Sequence, residues 1–355
     1  MEEAEKDNLF RDIQSYFGAD TVLVIGSGLS CAEGLPGMWK LAEKLVEKVP
    51  EQLNDQNNKQ WLKIKEDLTH QDGSGKEHAN LEATLLRYPP DLEVETIIRK
   101  VTADYIKREE QKVIEKVIKG EQELRFSTLI KKFNITDAGL KIVCTNYDRL
   151  LEIACEVENI PIDNLFYGKY IARLDSKKSR MSFCEKIDNT RKPPKMIFTK
   201  KVSIYKPHGC LNWYLYKGNP INSTFDLELE RLIITPGVNK FRNGYESPFD
   251  THRDKANNVI DRASKFLIVG YGFNDEHLET HLKQRIREGT PTLILTKFLS
   301  ESSQSLIKDK ENVIACYHYQ ESDSKIGTEI IYKNNIYRIH DLDLWDIKTM
   351  TEMVF

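Results

Sequence analysis

Apolar residues recur along the chain in two rhythms, and the switch between them sets the expected architecture. Leu9, Phe10, Ile13, Tyr16 and Phe17 repeat at three- and four-residue steps, which predicts a short amphipathic helix over 8–18 that stops at Gly18. Thr21-Val-Leu-Val-Ile25 is instead a continuous β-branched run bounded by glycine, the pattern of a strand buried on both faces. A glycine-rich stretch over 26–37 follows, and then a helical pattern through Val49. Strand, glycine turn and helix form the opening unit of an α/β sheet.

From about 51 to 133 the strand rhythm lapses. Polar stretches (Asn54–Gln60, His70–His78) alternate with helical patterns, and Pro89-Pro90 breaks the segment. Ile97, Ile98, Val101, Tyr105, Ile106, Val113, Val117 and Ile118 keep helical spacing, with an interruption expected at the charged pair Glu109-Glu110. The strand rhythm resumes at Leu140–Cys144, followed by a helix over Tyr147–Glu156. Further sheet strands are expected at Ser203–Lys206, Arg231–Thr235, Phe266–Val269, Thr292–Thr296 and Val313–Tyr317. The chain then predicts a hairpin turning at Lys333–Asn335 and a closing helix. The expected fold is α/β, a Rossmann-like, mostly parallel sheet over 1–50 and 134–355 with a helical module inserted at 51–133.

Composition narrows the classes. A net charge of −3 over 355 residues implies no global polyelectrolyte partner. Residues 169–201 depart from that balance, with eleven Lys or Arg against three Asp or Glu. This basic loop reads either as a solvated surface or as a contact for nucleic acid or another acidic partner. The six cysteines are scattered with no Cys-x-x-Cys pair, which argues for reduced thiols and against a disulfide framework or zinc ribbon. No apolar run approaches the ~20 residues that span a bilayer, and the N-terminus carries no apolar leader. A cytoplasmic protein with no membrane partner is expected.

Four motifs sit where expected strands end. Gly26-Ser27-Gly28-Leu29-Ser30 opens a turn that continues to Gly34-Leu35-Pro36. A glycine turn after a buried strand can offer backbone N–H groups and a helix N-terminus to a pyrophosphate, or can simply serve a tight bend. Cys31 stands where a dinucleotide-binding G-x-G-x-x-G has its third glycine. Thr145-Asn146-Tyr147-Asp148 follows the second expected strand, at the carboxyl edge where open α/β sheets bind ligands. Asn and Asp ahead of a helix also serve as ordinary N-caps. Lys206-Pro207-His208-Gly209 places a histidine in an open loop, suited to a general base near neutral pH. Phe266 to Val269 runs into Gly270-Tyr271-Gly272, and Asp275 beyond it could cap the next helix.

The order G-x-G-x-S-x-x-x-G-L-P, N-x-D, H-G and a late Gly-Tyr-Gly resembles the sirtuin family. Pro36-Gly37-Met38-Trp39-Lys40-Leu41 lacks the Asp-Phe-Arg of protein deacetylases and is similar instead to bacterial sirtuin-like NADases of anti-phage defence. The resemblance implies NAD⁺ as substrate. It assigns Asn146 to the ribose or attacking water, Asp148 to the nicotinamide amide and His208 to the general base. Gly26, Ser27, Gly28, Leu29 and Ser30, with Gly270, Tyr271 and Gly272, would hold pyrophosphate and adenosine. Trp39 would either close over the NAD⁺ or pack in the core. The zinc-binding cysteine pairs of the deacetylases are missing, so no metal is expected and water is the expected acceptor, giving nicotinamide and ADP-ribose. A deacylase or ADP-ribosyltransferase, and a non-catalytic NAD⁺ or ADP-ribose sensor, are the alternatives. The resemblance also suggests a translocase-type ATPase partner. Met350, Met353, Val354 and Phe355 form an apolar chain end that would either make homo-oligomer contacts or fold back on its own domain.

Overall fold

The computed structural model describes residues 3–69, 81–237, 246–273, 276–322 and 325–355. Helix α1 (Glu3–Gln14) leads into β1 (Thr21–Ile25), and α2 (Ser27–Ala32) and α3 (Met38–Lys48) follow the glycine turn. Helices α4 (Asp55–Thr69), α5 (Leu81–Arg87) and α6 (Leu92–Ile118) come next, then α7 (Arg125–Ile130), β2 (Leu140–Cys144) and α8 (Leu150–Val157). Short strands β3 (Ile162–Asp163), β4 (Phe166–Tyr167) and β5 (Ile171–Leu174) precede α9 (Ser176–Met181) and a hairpin of β6 (Cys184–Asp188) and β7 (Lys195–Phe198). The chain continues through β8 (Val202–Tyr205), β9 (Gly209–Tyr216), β10 (Asn219–Ser223), β11 (Arg231–Ile233) and α10 (Phe249–Asp261). It ends in β12 (Lys265–Val269), α11 (Glu276–Arg287), β13 (Thr292–Thr296), α12 (Glu301–Ile307), β14 (Val313–Ser322), β15 (Lys325–Tyr332), β16 (Asn335–His340) and α13 (Ile347–Val354).

The main sheet has the order β16-β15-β14-β13-β12-β1-β2-β8-β3, parallel from β14 to β3 and antiparallel at β14–β15–β16. This is the expected α/β sheet. Strand β1 sits between β12 and β2 and explains its own sequence: Leu23 and Ile25 face one core with Leu267, Leu295 and Ile142, while Val22 and Val24 face another with Phe266, Ile268 and Val143. A strand covered on both faces has no position left for a polar residue. The β15–β16 turn falls at Lys333-Asn334, both with positive φ, as a tight two-residue hairpin requires. Among the described residues no helix is long and apolar enough to cross a membrane.

Three expectations change. Residues 231–235 do not join the main sheet: β11 pairs antiparallel with β9 in a second sheet of order β11-β9-β10-β5-β4, packed around Phe166, Trp213 and Phe249. Strands β9 and β10 carry no clear sequence signal because Gly209–Ser223 mixes polar and aromatic residues without clean alternation. The basic stretch 169–201 is no simple loop but holds β5, α9 and the β6–β7 hairpin. Helix α6 is not interrupted at Glu109-Glu110. Glu110 is buried, and its carboxylate accepts from the Arg149 backbone N–H (2.5 Å) and from Arg149 Nε and Nη2 (3.0 and 2.5 Å). The helical segment has its own core of Trp61, Ile64, Leu85, Val94 and Ile98, which also takes in Leu41 and Leu45 of α3. Further along α6, Ala103, Ile106 and Val113 pack into the main core.

Candidate functional site

The carboxyl ends of β1, β2 and β12 lie side by side, so the turns that follow them converge. The Gly26 N–H donates to the Val269 carbonyl (3.0 Å), the Gly28 N–H to the Gly270 carbonyl (2.9 Å) and the Thr145 N–H to the Ile25 carbonyl (3.0 Å). A Cβ at Gly26 would stand 2.5 Å from the Gly270 oxygen, and one at Gly28 2.7 Å from the Gly270 Cα. Both glycines therefore exist for close approach of two loops. Their N–H groups, expected to face a pyrophosphate, are occupied by carbonyls, and the Leu29 N–H donates to the Gly26 carbonyl (3.2 Å).

Around this joint a buried polar chain is assembled. Asn146 Nδ2 donates to the Gly26 carbonyl (2.9 Å) and to Ser30 Oγ (2.8 Å), and Ser30 Oγ donates to Asp148 Oδ2 (2.7 Å). The two capping candidates thus part company. Asp148 Oδ1 accepts from the Leu150 N–H (3.1 Å) at the start of α8, whereas the Asn146 side chain turns away from that helix. Asn146 Oδ1 is buried and has no hydrogen-bond partner among the described residues. An amide oxygen in that state costs about 1–3 kcal/mol unless something else meets it. Burial pushes the Asp148 carboxyl above the usual carboxylate range, opposed by Lys206 and by the Ser30 hydroxyl.

His208 reaches the same place from the loop between β8 and β9. The Gly209 N–H donates to the Lys206 carbonyl (3.1 Å), and the Ile234 N–H donates to the His208 carbonyl (2.9 Å), which pins the histidine backbone. Gly209 has φ +88°, and a Cβ there would lie 2.1 Å from the Leu232 oxygen, so only glycine can follow the histidine. Below the loop lies Lys206, fully buried, whose Nζ donates to the Asp148 carbonyl and pairs with Glu152 Oε1 (2.8 Å), with Cys210 Sγ at 3.5 Å. Burial alone would lower its pKa, but Cys210, Glu152, Cys144 and Asp148 together hold it well above the lysine range. This ammonium ties the Asp148 turn to the His208 turn. His252 is also buried: its Nδ1 accepts from the Lys206 N–H (3.1 Å) and its ring lies 4.5 Å from Trp213. Burial, and next the Lys206 charge, depress its pKa to about 3, so the ring is neutral.

A cavity of about 220 Å³ gathers Asn146, Asp148, His208, Ser27, Ser30, Tyr271 and Gly272. A second, of about 590 Å³, lies on the other side of the glycine turn and is lined by Gly28, Leu29 and Gly270, with Ser27 and Gly272 common to both. Gly26 lines neither and acts through its carbonyl. Asp275 lies outside the described residues. Trp39 neither lines these cavities nor joins the core, being 47% exposed. Sequence reading missed the helical wall of the first cavity, made by Met38 and Leu41 of α3, Glu82 of α5 and Ile106 of α6. Met38 and Leu41 fall within the Pro36–Leu41 stretch quoted above but carried no site role there, and no local signal marks Glu82 or Ile106. It also missed Arg125, Lys297 and Trp345 in the second cavity. Among the described residues no group of three or more His, Cys, Asp or Glu is placed to hold a metal.

The chain is similar in structure to a mutant Sir2 with a p53 peptide and NAD, at a TM-score of 0.40 and 11% identity, covering 100% of this chain and 97% of that one. It is similar also to a Sir2 enzyme studied for mechanism and regulation (TM-score 0.39, 9% identity, 86% and 90% covered). A third likeness is to Sir2Tm bound to a propionylated peptide (TM-score 0.37, 11% identity, 83% and 88% covered). No curated protein matches the chain. Residues 141–316, which run from β2 to the middle of β14 and include the Asn146 and His208 turns, match the family model of the SIR2-like domain.

Proposed function

We propose that the first cavity binds NAD⁺ at its nicotinamide ribose and hydrolyses the glycosidic bond, giving nicotinamide and ADP-ribose. The observation that carries this reading is Asn146. Its Nδ2 is fixed by Gly26 and Ser30, while its buried Oδ1 is left without a partner among the described residues beside His208 and Asp148. A buried acceptor held rigidly in a cavity wall suits a ribose hydroxyl or a water. The SIR2-like match and the four motifs support the same substrate.

Nicotinamide leaves NAD⁺ as a neutral base, so the chain has to steady an electron-poor ribose and deliver a nucleophile. In this reading His208 takes a proton from a ribose hydroxyl or from water, and Asn146 Oδ1 orients that oxygen. Asp148 accepts from the nicotinamide amide, and Ser30 keeps its carboxylate aimed. Gly28, Leu29, Gly270, Tyr271 and Gly272 bound the space for pyrophosphate and adenosine. Because the Gly26 and Gly28 N–H groups are engaged, phosphate contacts fall to other groups, with Arg125 and Lys297 in the adjoining cavity. Positioning and fixed dipoles supply the rate in this scheme without a metal. We further propose a regulated effector of anti-phage defence, restrained by its own assembly or by an ATPase partner.

The test is nicotinamide release by purified protein. His208→Ala is expected to slow release by about 10²–10⁴ while NAD⁺ affinity stays within about tenfold, the range of a lost general base. Asn146→Ala is expected to lose comparable rate. Full turnover in a folded His208→Ala protein would remove the histidine from the mechanism. Transfer of ADP-ribose to an added acyl-lysine peptide would favour the deacylase class instead.

A further inference from the structure

The opposite, amino-terminal edge of the main sheet carries a second concavity. A groove of about 850 Å³ opens beneath Thr21 of β1, Lys141 of β2 and Ser203 of β8. With a rise of ~3.3 Å per residue, five-residue strands separate it from the candidate site by roughly 13–17 Å. One wall is α9 and the β6–β7 hairpin, with Arg180 and Lys195. The other is the end of α10, with Lys255 and Arg262.

Charge in this groove is unbalanced. Six cations line it (the four above with Lys141 and Lys201) against three acids, Asp20, Asp137 and Asp163. Asp163 is already committed to Lys201 in a buried pair at 2.5 Å. Arg180, Lys195, Lys255 and Arg262 are exposed and form no ion pair among the described residues; Arg180 lies over the Phe198 ring at 5.1 Å. Lys141 Nζ, half-buried at the floor, donates to the Ala138 carbonyl (2.7 Å) and lies 3.3 Å from Ser203 Oγ. Its pKa is lowered first by burial and then by the Lys201 charge, with Arg180 adding to this and Asp163 opposing it. A fold under no pressure to bind an anion gains nothing by gathering like charges along one cleft.

From this juxtaposition of Arg180 and Lys195 with Lys255 and Arg262 across an 850 Å³ groove, we propose a second ligand site that takes a phosphate chain. Cations on both walls suit a ligand that bears charge at successive positions along a narrow backbone, and two guanidinium groups match phosphate oxygens in pairs. The phosphates come from a single-stranded nucleic acid or from a free oligophosphate, and the experiment separates the two.

Binding is measured by fluorescence anisotropy of a labelled oligothymidine, with tripolyphosphate and poly-glutamate as competitors, over a salt series. Four phosphate contacts on a single strand give a log–log salt slope of about −3, or roughly fiftyfold weakening between 50 and 200 mM salt. The quadruple variant Arg180→Glu, Lys195→Glu, Lys255→Glu, Arg262→Glu is expected to bind at least tenfold more weakly with a flattened slope, while still releasing nicotinamide. If that variant does not fold, Lys255→Gln with Arg262→Gln, both at exposed positions, is expected to lower the slope by about one to two. Tight oligothymidine binding that tripolyphosphate cannot displace assigns the groove to nucleic acid. Tight tripolyphosphate with weak oligothymidine assigns it to a small oligophosphate. No binding of either at 50 mM salt would overturn the proposal, as would unchanged binding by the folded variants or equal competition by poly-glutamate.

Discussion

At the scale of single residues, the proposed chemistry rests on side chains held in specific directions by their hydrogen bonds. Asn146 and Asp148 are two positions apart and of similar shape, yet one faces the cavity and the other also accepts from the Leu150 N–H, with Arg149 as the N-cap of α8. Local pattern offered both a cap role and a ligand role for each of them and could not divide the two. His252 shows what burial does to a residue no motif had marked. Its pKa falls from 6.5 to about 3, so below pH 6.5 the unfolded chain takes up a proton that the folded chain refuses. Stability contributed by the neutral ring is therefore complete above pH 6.5 and lost as pH falls toward 3, by about 1.4 kcal/mol per pH unit. Thermal or urea unfolding at pH 7 and pH 5 is expected to show the native chain losing about 2 kcal/mol more than a His252→Asn chain over that interval. Equal losses would mean that the ring is hydrated or already charged.

Among elements, α6 was read correctly as helical and wrongly as broken. The periodicity of Ile98, Val101 and Ile106 is a local signal, but a glutamate pair reads as solvated unless its partner is known. Glu110 is held by Arg149, 39 positions along the chain and next to Asp148. The pairing and the burial of Glu110 explain how a carboxylate sits inside a helix packed on both sides. Glu110→Ala would strand a half-buried guanidinium, and urea unfolding is expected to show a loss of about 3–5 kcal/mol. Glu110→Gln keeps an acceptor and is expected to lose less. If both variants unfold like the parent, the pair is structurally idle. The same lesson applies to β11, which carries a sheet-like sequence but finds its partner in β9 rather than in the parallel sheet.

For the whole molecule, the apolar chain end is divided: Met350 and Val354 are buried in its own fold, while Met353 and Phe355 stay 43% and 48% exposed. Leu344, Ile347, Met350 and Val354 are buried, α13 packs on α1 and α7, and Phe355 meets Phe17 edge-on at 4.7 Å. This packing supports the fold-back alternative for Met350 and Val354, and homo-oligomer contacts remain a proposal. Four buried apolar side chains at about 1.5–3 kcal/mol each amount to ~6–12 kcal/mol, comparable to the whole stability of a domain. A chain ended at Asp341 is thus expected to lose cooperative unfolding and to bind hydrophobic dyes, whatever its mass. A truncated chain that melts like the parent and merely halves its mass in light scattering would restore the oligomer reading. We propose that 51–133 is an insertion whose core borrows Leu41 and Leu45, so that the module and the sheet close one cavity between them.

Strand identity was readable from residue order alone, because burial on both faces leaves no polar position in Val22–Ile25 or Phe266–Val269. So was the convergence of the candidate site residues, since ligands gather at the carboxyl ends of parallel strands and the four motifs all follow such strands or turns. What the glycines are for was not readable: a turn that cradles phosphate and a turn that lets two loops touch need the same residue. The bonds from Gly26 and Gly28 to Val269 and Gly270 show that the turn serves the contact of two loops, and they join segments more than 240 residues apart. The helical wall, the buried Lys206 and the basic groove are of the same kind. Each depends on which distant surfaces meet, a property of the packed chain that no window of neighbouring residues contains.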